Sequence, residues 1–81
     1  MEVTVQFFAQ LRDLTGTSER TITLPASATV ADLLPQLYRE YPGLEKWDSR
    51  ILIGAGVEFV RREHPLRAGE SIAIMPPVQG G

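Results

Sequence analysis

The chemistry of this sequence is concentrated at its end, which reads Pro76-Pro77-Val78-Gln79-Gly80-Gly81. Each proline ring fixes its own φ, so the chain is stiff as it leaves the last predicted strand. Gly80 and Gly81 have no Cβ and can thread a narrow channel. The group they carry is a carboxylate on the least hindered residue available, unreactive until activated, for instance as an acyl adenylate. A stiff stem with a slender tip suits delivery of that group into the active site of another protein. A frayed polar terminus is the plainer alternative, and Gly-Gly alone would favour it. A Pro-Pro stem set directly after a strand turns the expectation towards delivery, with Gly81 as the reacting residue and Pro76, Pro77, Val78, Gln79 and Gly80 as the inserted segment.

The remaining inventory is poor in catalytic groups. There is no Cys, so a thiol nucleophile, a disulfide framework and Cys-based metal sites are excluded, and no metal site is expected. His64 is the single His, which leaves little for acid–base work near neutral pH. The chain is therefore not expected to be an enzyme on its own. Eight basic and ten acidic residues give a net charge of −2 over 81 residues, without the positive stripe that nucleic-acid binding requires. The longest apolar run, residues 51–57, is too short to cross a bilayer, and the first residues do not form a signal peptide. No nucleic-acid or membrane partner is expected, and the expected location is the cytoplasm.

The elements that must position the tail follow from hydrophobic periodicity. Residues 2–8 alternate, with Val3, Val5 and Phe7 on one face. Residues 11–16 interrupt them and end in Gly16, which suits a tight reversal. Residues 20–24 alternate again, with Ile22 and Leu24 inward, giving a hairpin with a long connection. Val30, Leu33, Leu34, Leu37, Tyr38 and Tyr41 form one helical stripe, capped by Thr29 with Asp32 three residues on. Pro35 would lose a backbone bond if the helix began at Val30, so a later start with Asp32 as cap, or an irregular first turn, is preferred. Tyr41-Pro42-Gly43 ends the helix. Residues 44–50 form a connector in which Trp47 is a partly buried lid over the helix end. Residues 51–53 and 57–62 make a second hairpin, residues 63–69 a turn-rich link, and residues 71–75 the last strand. The order is ββαβββ: an α+β domain of residues 1–75, with a mixed sheet of about five strands covered on one face by one main helix, followed by an extended tail of residues 76–81.

Strand phase predicts a docking surface. Phe8, Phe59 and Met75 each fall out of phase with the inward residues of their strands. With one helix covering one face, all three point to the other and form an apolar patch near the root of the tail, the mark of a protein interface. A bulge that turns Phe59 inward is the alternative. Arg12 is a candidate for an ionic contact with a partner. Arg61-Arg62 reads as a charged strand edge that blocks aggregation, His64 before Pro65 as a residue that orders a turn, and Lys46 as a plain surface residue.

Three stretches resemble the small sulfur-carrier subunit family of molybdopterin synthase, a ubiquitin-like β-grasp family. They are Phe7-Phe8-Ala9-Gln10-Leu11-Arg12-Asp13-Leu14-Thr15-Gly16, His64-Pro65-Leu66 with Gly69-Glu70, and the whole of Pro76 to Gly81. The resemblance runs the length of the chain. It departs from the family where Ala55-Gly56 replaces a Val-Asn pair, a change that keeps a turn needing φ > 0. The resemblance implies that an enzyme related to the ubiquitin-activating enzymes adenylates Gly81 with ATP. A sulfur donor then converts it to a thiocarboxylate. The tail would insert into the large synthase subunit and pass sulfur to a cyclic pyranopterin precursor in molybdenum cofactor biosynthesis. It implies no cofactor bound by this chain and a hetero-oligomer with the large subunit, in the family a heterotetramer. A sulfur carrier or protein modifier serving another recipient (tRNA thiolation, thiazole or cysteine synthesis, protein lysines) remains open, as does a plain interaction module.

Overall fold

The first strand, β1 (Glu2–Phe7), carries the predicted alternation into space: Val3, Val5 and Phe7 are buried while Glu2 is exposed. In this computed structural model residues 1–77 are described, so Val78, Gln79, Gly80 and Gly81, on which the tail-tip expectations fall, lie outside the described residues. β2 (Glu19–Thr23) pairs antiparallel with β1, Val3 opposite Ile22. β5 (Ser71–Met75) pairs parallel with β1 on its other side, Val5 opposite Ile72 and Phe7 opposite Ile74. β3 (Leu52–Ala55) pairs antiparallel with β5, and β4 (Glu58–Phe59) with β3. The order across the sheet is β2-β1-β5-β3-β4. The last strand therefore lies at the centre, and the tail root leaves from the middle of the sheet. This is the α+β, ubiquitin-like β-grasp arrangement.

Between β1 and β2 the chain forms a short helix, α1 (Gln10–Thr15), rather than a simple turn. Leu11 is fully buried, and Gly16 ends the helix with φ 76°, a left-handed cap whose N–H bonds to Arg12 O. A six-residue helix is too short to declare itself by periodicity.

The main helix, α2 (Val30–Glu40), starts at Val30 and not at the later position preferred from Pro35. Thr29 and Asp32 form a capping box, with Thr29 N–H donating to Asp32 Oδ2 at 2.8 Å. Two further free donors of the first turn find acceptors outside the helix: Val30 N–H bonds to His64 O and Ala31 N–H to Arg62 O. Pro35 lies on the exposed side, where water can serve the carbonyl its missing N–H would have bonded. Val30, Leu33, Leu34 and Leu37 face the sheet. With the inward residues of β1, β2, β3 and β5, and with Leu11, Ala28, Leu44 and Leu66 from the connections, they make one core.

The connector after α2 is a 3₁₀ helix, Pro42–Trp47. Trp47 packs half-buried against the core as expected, with the Arg50 guanidinium 4.6 Å above its ring. β3 runs to Ala55, two residues past its expected end. The loop between β3 and β4 turns at Gly56 with φ 64°, as the Ala55-Gly56 pair implied. β4 is only two residues long, against the six expected of residues 57–62. The ladder ends there because the chain beyond Val60 turns towards α2 to supply the acceptors at Arg62 and His64.

Candidate docking face at the root of the tail

Strand register places four residues in one row across the uncovered face of the sheet: Gln6 on β1, Ala73 on β5, Gly54 on β3 and Phe59 on β4. Phe8 extends this face beyond β1, held by its N–H to Ile74 O at 3.2 Å. Met75 ends β5 directly before Pro76-Pro77. Together with Gly56, Val57 and Glu58 these residues line an open groove of about 330 Å³. Phe8 is 45% exposed and Phe59 70%, so Phe59 is not turned inward by a bulge. The three out-of-phase residues Phe8, Phe59 and Met75 are thus brought together, as strand phase predicted, at the last residue before the tail. Val57, at the tip of the β3–β4 turn, is also fully exposed and adds apolar surface that the sequence reading did not count.

At the floor of this groove half-buried Ala73 lies beside buried Gly54, over which the Met75 side chain folds. A Cβ at Gly54 would lie 3.2 Å from Met75 Cε and 3.7 Å from Ala73 Cβ. Ala9, next to Phe8, is the one non-glycine residue with positive φ among the described residues, at φ 52° and ψ −130°. The chain must pass from Phe7, buried on one face, through Phe8 on the other, and back to buried Leu11. Ala9 absorbs that reversal, while its carbonyl accepts the Arg12 N–H at 3.0 Å. Arg12 lies exposed on α1 and is not among the residues lining the groove.

The polar residues of the chain gather elsewhere. Asp48 accepts a hydrogen bond from the Tyr38 hydroxyl and one from Arg62 Nη1 at 2.9 Å. The Tyr38 bond lowers the Asp48 carboxyl pKa, burial opposes it, and Arg62 lowers it further; the net shift is downward. Burial, and then the bond to Asp48, raise the Tyr38 hydroxyl above its ordinary range. Arg62 is therefore not a free edge charge as Arg61-Arg62 suggested, but ties the loop after β4 to the end of the 3₁₀ helix. The residues involved are 10 and 14 apart in sequence, and no local spacing announces them. His64 Nε2 sits 2.9 Å from Glu70 Oε2, while Glu70 Oε1 accepts the Arg67 N–H at 2.9 Å. Burial works against the Glu70 carboxylate, but the His64 and Arg67 bonds outweigh it and its pKa is lowered. This matches the turn-ordering role expected of His64. Neither cluster lines the groove. Among the described residues no group of three His, Asp or Glu side chains is placed to hold a metal ion, and no helix is long and apolar enough to cross a membrane.

The geometry has close counterparts. A molybdopterin synthase sulfur carrier subunit from Chlamydomonas reinhardtii is 32% identical, with all of both chains covered. The solution structure of small archaeal modifier protein 1 from Methanosarcina acetivorans superposes with a TM-score of 0.82 at 32% identity, covering 99% of this chain and 96% of that one. Subunit 1 or 2 in the complex of the two subunits of molybdopterin-converting factor from Helicobacter pylori matches over both full lengths, with a TM-score of 0.71 at 26% identity. The ThiS family model matches residues 5–81, and the chain belongs to that family.

Proposed function

We propose that this chain is the sulfur-carrier subunit of a molybdopterin synthase. The observation that carries the reading is the convergence of Phe8, Phe59 and Met75 on one uncovered groove at the root of a Pro-Pro stem. It provides a surface on which a larger partner can seat while the tail enters that partner's active site. The name of the Chlamydomonas relative supports the sulfur-carrier part, and the Helicobacter complex supports a second subunit as the partner.

In this reading the Gly81 carboxylate attacks the α-phosphorus of ATP in an activating enzyme related to the ubiquitin-activating enzymes, releasing pyrophosphate. A sulfur nucleophile from a donor then adds to the acyl carbon and displaces AMP, leaving a thiocarboxylate. Pro76, Pro77, Val78, Gln79 and Gly80 carry that group into the large subunit, where its sulfur passes to a cyclic pyranopterin precursor and the carboxylate is regenerated by hydrolysis. The chain supplies no side chain to any step, binds no cofactor and uses ATP only through its partner. It works in the cytoplasm, as a hetero-oligomer with the large subunit. Phe8, Phe59 and Met75 seat the partner, and Arg12 contacts the activating enzyme.

A second reading keeps the tail chemistry and changes the recipient. The likeness to small archaeal modifier protein 1 favours it. One reconstitution separates the readings. The thiocarboxylated protein is mixed with the large subunit and the pyranopterin precursor, and dithiolene product is measured. Product is expected from the native tail and none from a chain extended by one Ala after Gly81. Equal activity of the extended chain rules out tail chemistry, and no product from the native chain transfers the assignment to another recipient.

A further inference from the structure

Gly54 has no conformational reason to be glycine. It lies inside β3, its φ is not positive, and a strand-interior glycine weakens the strand it sits in. Nor does this chain exclude a Cβ there. The nearest atom would be Met75 Cε, the far end of a flexible side chain, and the next are at an ordinary 3.7 Å. Its neighbour in the same row, Ala73, is also small, although a central strand favours larger branched residues. Gly54 is buried, and Met75 Cε lies over it, so the missing side chain lets Met75 fold down and leaves a depression at Ala73 between Phe8 and Met75 on one flank and Val57 and Phe59 on the other. Glu58 is the one charged residue lining it, and it makes no ion pair among the described residues. A depression kept open at some expense to strand stability, with apolar walls and one unneutralised carboxylate, is complementary to a projecting apolar side chain flanked by a cation.

We propose that Ala73, with Met75 folded down over Gly54, floors a socket that takes one bulky apolar side chain of the partner subunit, with Glu58 meeting a basic group beside it. The inference rests on the docking reading above and adds the residues that set its specificity. Filling the floor from within then blocks the partner without harming the fold. Gly54→Ala keeps or raises the thermal midpoint, since the alanine stiffens the unfolded chain and Met75 can give way. Its affinity for the large synthase subunit, measured by titration calorimetry, falls roughly tenfold or more, as expected when a close-packed contact is overfilled. Ala73→Val gives the same pattern independently. Glu58→Lys weakens binding, and the loss shrinks as salt is raised. Phe59→Asp separates the two levels of the claim. If Phe59→Asp binds normally, the groove is not the docking face and the reading beneath the socket fails. If Phe59→Asp loses binding while Gly54→Ala and Ala73→Val bind as the native chain does, the socket alone is overturned. A native chain that self-associates on gel filtration, and loses this with Gly54→Ala, assigns the socket to a second copy and overturns the subunit partner.

Discussion

The two faces of one sheet differ in what they do with apolar residues. On the face under α2, Val5, Ile72 and Ile74 on the central strands and Leu33 and Leu37 on the helix are all at 1% exposure or less. On the opposite face the central row is Gln6, Ala73 and Gly54, and the large apolar side chains stand at its margins, with Phe59 mostly in solvent. The same two-residue alternation builds both faces, so β1, β5 and β3 carry a core residue and a residue of the uncovered face in turn. On the proposed docking reading, stability and recognition then fall to different residues of the same strands. A substitution on one face should leave the other property nearly untouched.

The largest effect tests that separation directly. Leu37→Ala opens a cavity beneath α2 and should lower unfolding free energy by about 2–5 kcal/mol, a large part of what a domain of this size has. Phe59→Ala, on the other face, should change it by no more than about 0.5 kcal/mol. Urea unfolding of both variants provides the comparison. A Phe59→Ala loss close to that of Leu37→Ala would mean that both faces belong to one core, and the division of labour would be wrong.

The difference between the faces also explains how much could be read from the sequence. The inward phase of Val3, Val5 and Phe7, the Val30–Leu37 stripe, and the outward phase of Phe8, Phe59 and Met75 are local patterns, and all of them appear in the structure. α2 starts earlier than Pro35 suggests, because the acceptors at Arg62 O and His64 O, about thirty residues away, are not visible in the local sequence. The same loop shortened β4 and gave Arg62 its partner in Asp48. The place of Gly54 is not visible locally, because its neighbour Ala73 is brought beside it by a strand pairing nineteen positions away. The expectation of a reactive end at Gly80-Gly81 comes from residue types alone, and it falls outside the described residues.

Ala9 sits at the seam between the faces, one residue beyond Phe8 and two beyond Phe7. At φ 52° and ψ −130° its methyl is strained, and Ala9→Gly removes that strain at the cost of greater freedom in the unfolded chain. A net gain of about 1 kcal/mol is expected, read as a higher urea midpoint with an unchanged m-value. An unchanged or lower midpoint would show that the seam is not where the sheet stores strain.

The smallest effect concerns the polar ties of the loop after β4, which join it to the end of the 3₁₀ helix through Asp48 and to the turn before β5 through Glu70. Glu70 and Asp48 both have lowered pKa values in the folded chain, so over the carboxylate range the unfolded state binds more protons than the folded one. Their contribution to stability is complete above the unfolded pKa, near about 4. It is lost as pH falls through the lower folded values. Glu70 is the better probe, because its side chain is 19% exposed while that of Asp48 is 44% exposed and screened by water. Glu70→Gln should flatten the acid limb of the stability curve, with a smaller total change than Ala9→Gly. Thermal midpoints of the native chain and Glu70→Gln, measured from neutral pH downward, give the two slopes. Parallel curves would show that the His64–Glu70 tie contributes nothing to holding the covered face closed. The two faces would then differ only in their apolar packing.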